Sequence, residues 1–440
     1  MRSPGILLHL LLTASPCLFC QQTLPPAPDM PLGVVDTVLV FGNEKTESYV
    51  ILDEMTIRKG SLVTPALLDY DRNRIYSLGL FTRVDLWYDS LGSLHFLSVD
   101  VRERWFFVPY PMFGFRDGDP KRPYYGAGVV HTNVAGRNQK LYATLVLGHD
   151  PSAGLSFVDP LLDRDARLFG AVSVSYSRPL NKSSREAELT GPYSEDHFLI
   201  SGTLGKRFSL HRTVGLTLGF RSVVIPQYLP GRTASPEGRD LFLWGGLSFT
   251  HDTRDLAEYA SRGFYAGFSV TQNGFGESAV SYTRTAGDLR GYLPLGSGLS
   301  VATRAFASIA SGGTVPTYGR TYFGYGERIR GFYTEVAEGE DLLLASAEIR
   351  FALLPARTIQ AGGLPIPEEF TVWRFGVSLA LFADAGTTWF HGEPVGLRTL
   401  CSGAGGGIHF LLPYSVVARV EYARNSAHRG EWILAFRGAI

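Results

Sequence analysis

The 440-residue chain is short of sulfur, of net charge and of long apolar runs. It has three cysteines, two of which, Cys17 and Cys20, lie in an N-terminal apolar stretch, so Cys401 stands alone beyond it. One thiol builds neither a disulfide framework nor a cysteine metal site. Lys plus Arg and Asp plus Glu each total 41. That balance gives no support for a nucleic-acid partner, which demands a basic stripe. After the N-terminus no apolar run reaches the ~18 residues that mark a membrane helix. The ten histidines show no H-E-x-x-H or other metal spacing. There is no G-x-S-x-G nucleophile elbow, and the glycine run Gly403 to Gly407 lacks the Gly-Lys-Ser/Thr of a phosphate loop. No catalytic residue, metal or cofactor is expected.

What the chain does have is 50 glycines and 12% aromatics, with only 19% charged residues. This mixture suits strands and tight turns better than helical bundles. Residues 1–20 read as a secretory signal peptide: Arg2, then an apolar run from Ile6 to Leu12, then small residues. Residues 21–33 are a proline-rich linker. Residues 34–104 read as a small α+β domain of order β-α-α-β-β. "VVDTVLVFG" alternates as a strand, "TESYVILDEM" and "TPALLDYDRNRIYSLG" carry apolar residues at helical spacing with Thr64 as a cap, and two strands hinge at Ser90 to Gly92.

From residue 105 to 440 the helical periodicity gives way to alternation. "TVGLTLGFRS" sends Val214, Leu216, Leu218 and Phe220 to one side and Gly215, Thr217, Gly219 and Arg221 to the other. Such segments are about ten residues long and recur about every twenty, with one apolar face and one small or charged face, as expected with lipid outside and a wet lumen inside. About sixteen of them fit between Arg104 and Arg437, an even number suited to a closed antiparallel transmembrane barrel. The fold class expected is mainly β, a transmembrane barrel behind one small α+β domain, with a secreted soluble β protein, whose strands also alternate, as the alternative.

The longest interruption that still looks structured, residues 311–341, contains "YFGYGERIRGFY". Arg330 sits there between Ile329 and the pair Gly331-Phe332, and an arginine at such a tip can fork onto a carboxylate. The candidate acceptors are inward-facing carboxylates on later strands, Glu348 in "LASAEIRF" and Asp384 in "LFADAGTTW", since an acid in an apolar strand needs a partner or water. Residue patterns alone leave alternatives open: Arg330 as a solvated loop charge, Asp384 as a rim acid that starts the turn at Gly386.

Several motifs in order resemble the Omp85 superfamily, the bacterial surface antigen D15 family of barrels with POTRA repeats. Residues 34–104 resemble one POTRA repeat at "VLVFGNEKT", "IRKGSLV" and "LGLFTRVDLWY". The barrel resembles the family at "IRGF" (Ile329, Arg330, Gly331, Phe332) and at "FADAG" (Phe382, Asp384, Gly386). A further segment, "DTRDLAEYASRGFY", holds Asp252, Arg254, Asp255, Arg262 and Gly263, a barrel motif of uncertain role. The resemblance implies that the loop folds back into the lumen and that Arg330 binds Asp384 and Glu348. It also implies insertion of barrel proteins into the bacterial outer membrane, or passage of polypeptides across it, without nucleotide hydrolysis. A two-partner-type secretion pore and a passive channel are the alternatives. The implied partners are the outer-membrane bilayer, unfolded outer-membrane or secreted polypeptides held on the edge strand of a periplasmic POTRA domain, and accessory envelope proteins. Two departures stand out: there is one repeat, and the chain ends "FRGAI" with Phe436 in place of a terminal aromatic.

Overall fold

A computed structural model describes residues 30–116, 121–225, 231–276, 278–296, 298–324, 326–332, 336–360, 372–393, 399–413 and 416–438. The signal-peptide expectation for residues 1–20 lies outside these.

The N-terminal unit contains β1 (Gly33–Val34), β2 (Thr37–Phe41), α1 (Ser48–Leu52), β3 (Leu62–Val63), α2 (Pro65–Ser77), β4 (Phe81–Leu91) and β5 (Leu94–Glu103). The expected β-α-α-β-β order is present with one addition. The first strand is split, and its opening residues pair with β3 as a two-residue ladder. In α2 the Thr64 side chain accepts from Leu67 N and proline occupies the first turn, where its missing N–H costs nothing. The sheet order is β2-β5-β4, parallel then antiparallel, so β2 lies at an edge. Ile51, Met55, Ile57, Ile75, Leu80 and Leu97 are all at most 1% exposed and fill the core. One acid, Asp71, is buried with them. Its carboxylate is satisfied by Thr56 N and Oγ1 and by Ile57 N at 2.7–2.9 Å, as a buried charge requires.

The remaining chain forms one sixteen-stranded sheet in which every neighbouring pair is antiparallel. Its strands are β6 (Phe107–Phe115), β7 (Pro123–Val134), β8 (Gln139–Gly148), β9 (Ser152–Asp163), β10 (Leu168–Ser177), β11 (Asp196–Arg207), β12 (Arg212–Val224), β13 (Arg239–Asp252), β14 (Gly263–Asn273), β15 (Tyr282–Gly296) and β16 (Leu299–Gly312). After the loop come β19 (Asp341–Gln360), β20 (Val372–Trp389), β21 (Cys401–Leu412), β22 (Val416–Asn425) and β23 (Gly430–Gly438). A seven-residue helix, α3 (Ser184–Thr190), lies between β10 and β11. The loop between β16 and β19 carries structure of its own: a 3-10 turn at Thr317–Gly319 and a short antiparallel pair, β17 (Thr321–Phe323) with β18 (Ala337–Gly339).

Leu216, Leu218, Leu243, Leu247, Phe268 and Leu381 point outward and are 46–67% exposed. A band of this kind would be untenable in water and is what a bilayer covers. The inward positions hold Asp288, Arg304, Glu348, Asp384 and Glu421, joined by ion pairs. The sheet is thus a transmembrane barrel of sixteen strands. Among the described residues its end strands, β6 and β23, share no ladder.

The N-terminal unit packs against one mouth of this barrel. Glu54 accepts from Arg74 (2.6 Å) and from two nitrogens of Arg207, one of them at 2.9 Å. Asp53 pairs with Arg164 at 2.9 Å, Thr46 accepts from Asn133 at 2.9 Å, and Arg374 lies 4.9 Å over the Tyr76 ring. Leu256, from the turn between β13 and β14, is buried in the unit's own hydrocarbon core.

Candidate functional site: an arginine clamped in the lumen

The loop from β16 to β19 descends into the barrel and delivers Arg330 to three acids. Arg330 Nε and Nη2 donate to Asp384 Oδ2 and Oδ1 at 2.7 and 2.8 Å, the two-pronged geometry a guanidinium offers a carboxylate. Nη1 donates to Glu348 Oε2 at 2.6 Å and to Glu421 Oε1 at 3.1 Å. The Arg330 backbone N–H adds a bond to Asp384 at 3.1 Å, and Ser346 Oγ donates to Asp384 at 2.6 Å. The guanidinium lies 3.7 Å from the centre of the Phe382 ring, within cation–π range. Burial works against the Arg330 charge, but the Asp384 hydrogen bond and the charges of Asp384, Glu348 and Glu421 outweigh it and hold the pKa above that of an ordinary arginine.

Strand alternation explains how the wall meets this tip. Ser346, Glu348 and Arg350 on β19, and Phe382, Asp384 and Gly386 on β20, share the inner face, while Ala345, Ala347, Leu381 and Ala383 face out. Gly331 takes a φ of 101°, a conformation that glycine supplies without strain. Its N–H donates to Glu431 at 2.9 Å and its carbonyl accepts from Asn425 at 2.8 Å. Ile329 and Phe332, 0% and 8% exposed, pack with Phe323, Leu342 and Leu344. Two wall glycines make room for this contact. A Cβ at Gly403 would stand 1.9 Å from the Arg330 carbonyl oxygen, and one at Gly386 would stand 2.6 Å from the Phe323 ring.

Behind the acids a second layer continues. Arg350 Nε donates to Glu348 at 2.5 Å, and its Nη1 donates to Ala260 O at 2.9 Å. His409, fully buried, lies 3.0 Å from Glu421 and 2.9 Å from the Tyr259 hydroxyl. Tyr259 and Ala260 belong to the turn that also supplies Leu256 to the N-terminal unit. Ligand atoms of Glu348, His409 and Glu421 lie within 4.8 Å of one another, close enough for a metal ion. Their carboxylates are already engaged by Arg330 and Arg350, so the trio fits an arginine-neutralised cluster better than a metal centre.

The third sequence segment builds the β13–β14 turn. Asp252 takes Arg254 in two bonds of 2.9 and 2.7 Å. Asp255 accepts from Ser261 N and Oγ and from Arg262 N, and Gly263, at φ 104°, leaves space where a Cβ would meet Thr253 O at 2.3 Å. Arg254 and Arg330 both line a partly open luminal cavity of about 320 Å³. Glu421, Asn425 and Glu431 were not singled out from sequence. A signal existed for Glu421, which falls between the outward residues Val420 and Tyr422.

A family model for the Omp85 superfamily domain matches residues 133–431, and a POTRA model, described as a surface antigen variable number repeat, matches residues 34–104. The fold is similar to BamA from Haemophilus ducreyi lacking POTRA domains 1–3, at 17% identity and a TM-score of 0.55 over 92% of this chain and 83% of that one. It is also similar to CdiB from Acinetobacter baumannii (14%, TM-score 0.51, 92% and 73%) and CdiB from Escherichia coli (12%, TM-score 0.53, 92% and 74%). No curated protein is a match for the chain.

Proposed function

The chain belongs to the Omp85 superfamily, and from that premise we propose that it inserts barrel proteins into the bacterial outer membrane, with the POTRA repeat in the periplasm and no nucleotide hydrolysis. The observation that carries this reading is that, among the described residues, β6 and β23 share no ladder. In hydrocarbon an unpaired edge is costly because lipid satisfies no backbone group, so a passive pore gains by closing its sheet. An insertase has a use for such an edge, since an incoming strand supplies the missing bonds. The repeat offers a second edge in β2, where Leu39 and Phe41 are 39% and 50% exposed. An unfolded client adds there through main-chain hydrogen bonds, with little dependence on its sequence. The Arg330 clamp holds the loop in the lumen, fixing the inner wall beside the seam and limiting passage through the barrel.

The test is reconstitution of the full chain in liposomes, wild type beside Arg330→Ala, with two outputs: folding of a urea-unfolded eight-stranded barrel, and ion conductance. Wild type is expected to speed client folding and the variant to lose that effect. If wild type conducts ions while client folding stays at the empty-liposome rate, the insertion reading fails and passage through the lumen replaces it.

A further inference from the structure

Nearly every charge that lines the luminal cavity beside the clamp has a counter-charge. Of its acids, Asp384, Glu348 and Glu421 are held by Arg330, Glu348 is shared with Arg350, and Glu258 lies 3.6 Å from Arg374. Of its arginines, Arg254 is held by Asp252, Arg290 by Asp288, and Arg304 by Asp288 and Glu327. Arg328 also has a partner. Arg419 is the exception. It lines the same cavity but makes no hydrogen bond or ion pair with any described residue, and its Nε is sealed from solvent without an acceptor.

Strand parity and register set this cation in place. Val420 and Tyr422 face outward, so Arg419 shares the inner face of β22 with Glu421. It stands opposite His409 on β21 and Ala435 on β23, and Ala435 lines the cavity too. A second arginine on the cavity wall has a donor to spare. Arg350 spends Nε on Glu348 and Nη1 on Ala260 O, while its Nη2 has no acceptor among the described residues, although the residue is only 9% exposed. Both arginines are within electrostatic reach of Glu348 and Tyr259. A guanidinium N–H withdrawn from bulk water needs an acceptor, and each carboxylate on this wall already has a cation.

We propose that Arg419 and Arg350 form an oxyanion site in the lumen, which takes a phosphate or carboxylate group. A guanidinium presents parallel N–H donors that match either one. The cavity, about 320 Å³, is at the small end of ligand pockets and suits a group of a few heavy atoms. The occupant also acts on the clamp. It ties down Arg350, which holds Glu348, which in turn holds Arg330, so a bound oxyanion steadies the loop in the lumen. Free phosphate and the phosphate of a lipid headgroup share the chemistry this site recognises.

The experiment is equilibrium dialysis of the full chain, in neutral detergent micelles, against radiolabelled inorganic phosphate at constant ionic strength, so that screening does not change. Heat-dependent gel mobility confirms the fold of each variant. Wild type is expected to bind one phosphate per chain saturably, and Arg419→Gln to bind at least tenfold more weakly. Arg424→Gln, which removes an exposed arginine of the same strand, is expected to match wild type. Phosphate is expected to slow protease cleavage within the 311–341 loop several-fold in wild type and not in Arg419→Gln. Displacement of the label by dioctanoyl phosphatidic acid at lower concentration than by unlabelled phosphate supports the site with a lipid headgroup as its source, and the reverse order supports it with a free anion. Absence of saturable binding, equal binding by Arg419→Gln, or an equal loss in Arg424→Gln overturns the site. Loop cleavage that bound phosphate leaves unchanged overturns its action on the clamp.

Discussion

The repeat and the barrel invert each other. In the repeat, hydrocarbon is inside: Ile51, Ile57, Ile75, Leu80 and Leu97 are sealed from solvent, and the one deeply buried acid, Asp71, is satisfied by three donors. In the barrel, hydrocarbon is outside, and the interior is held by Arg330, Glu348, Asp384 and Glu421. The repeat draws its stability from the expulsion of water. The barrel leaves its apolar surface to lipid and orders its lumen by charge pairing. A luminal arginine therefore does for the barrel wall what Leu97 does for the repeat, and its loss is felt differently, because the acids left behind are charged rather than merely less well packed.

The largest expected effect breaks the barrel side of this comparison. Arg330→Ala leaves three buried carboxylates without their shared cation, a local cost of about 3–5 kcal/mol. The expected result is a loop open to added protease and a lower denaturation temperature of the folded barrel on gels. Arg330→Lys recovers only part of this, because an ammonium does not fork onto Asp384 while also reaching Glu348.

On the repeat side, Leu97→Ala is expected to cost about 2–5 kcal/mol through lost burial and a residual cavity. Hydrogen exchange of the intact chain should speed up across α2 and β5 while β19 and β20 stay protected. Equal deprotection of both regions would mean that repeat and barrel unfold as one unit.

A third substitution separates the barrel's two faces. Leu218→Arg puts a charge in the lipid band, about 2–4 kcal/mol if the site lies at mid-membrane. The neighbouring Thr217→Arg points into the wet lumen and should cost less. Urea titration of the two variants in lipid vesicles gives the ordering, and an equal cost would contradict the assignment of faces.

The smallest effect concerns the joint between the regions. Glu54→Gln weakens the carboxylate held by Arg74 and Arg207, about 2 kcal/mol for bonds to a charged group. The turn at 207–212 should exchange faster, with barrel stability unchanged.

Much of this arrangement is legible along the chain. Alternation with period two marks the strands and their faces, Thr64 and Pro65 mark the start of α2, and a glycine after Arg330 marks a tight reversal. The same alternation placed Glu348, Phe382 and Asp384 on the inner wall. It did not single out Glu421, Asn425 and Glu431, which meet the loop from strands 91 to 100 residues away in sequence. Nor did it show that the turn carrying Asp252, Arg254 and Asp255 also sends Leu256 into the repeat.

Which residues turn outward and which inward follows from local sequence, because the direction of a side chain in a strand depends only on its parity within a few residues. That the repeat seats on one mouth of the barrel and that one guanidinium reaches three acids comes from tertiary contacts. Those outcomes depend on ladder register and on how sixteen strands curl together, and both are set by pairings between residues far apart in the chain.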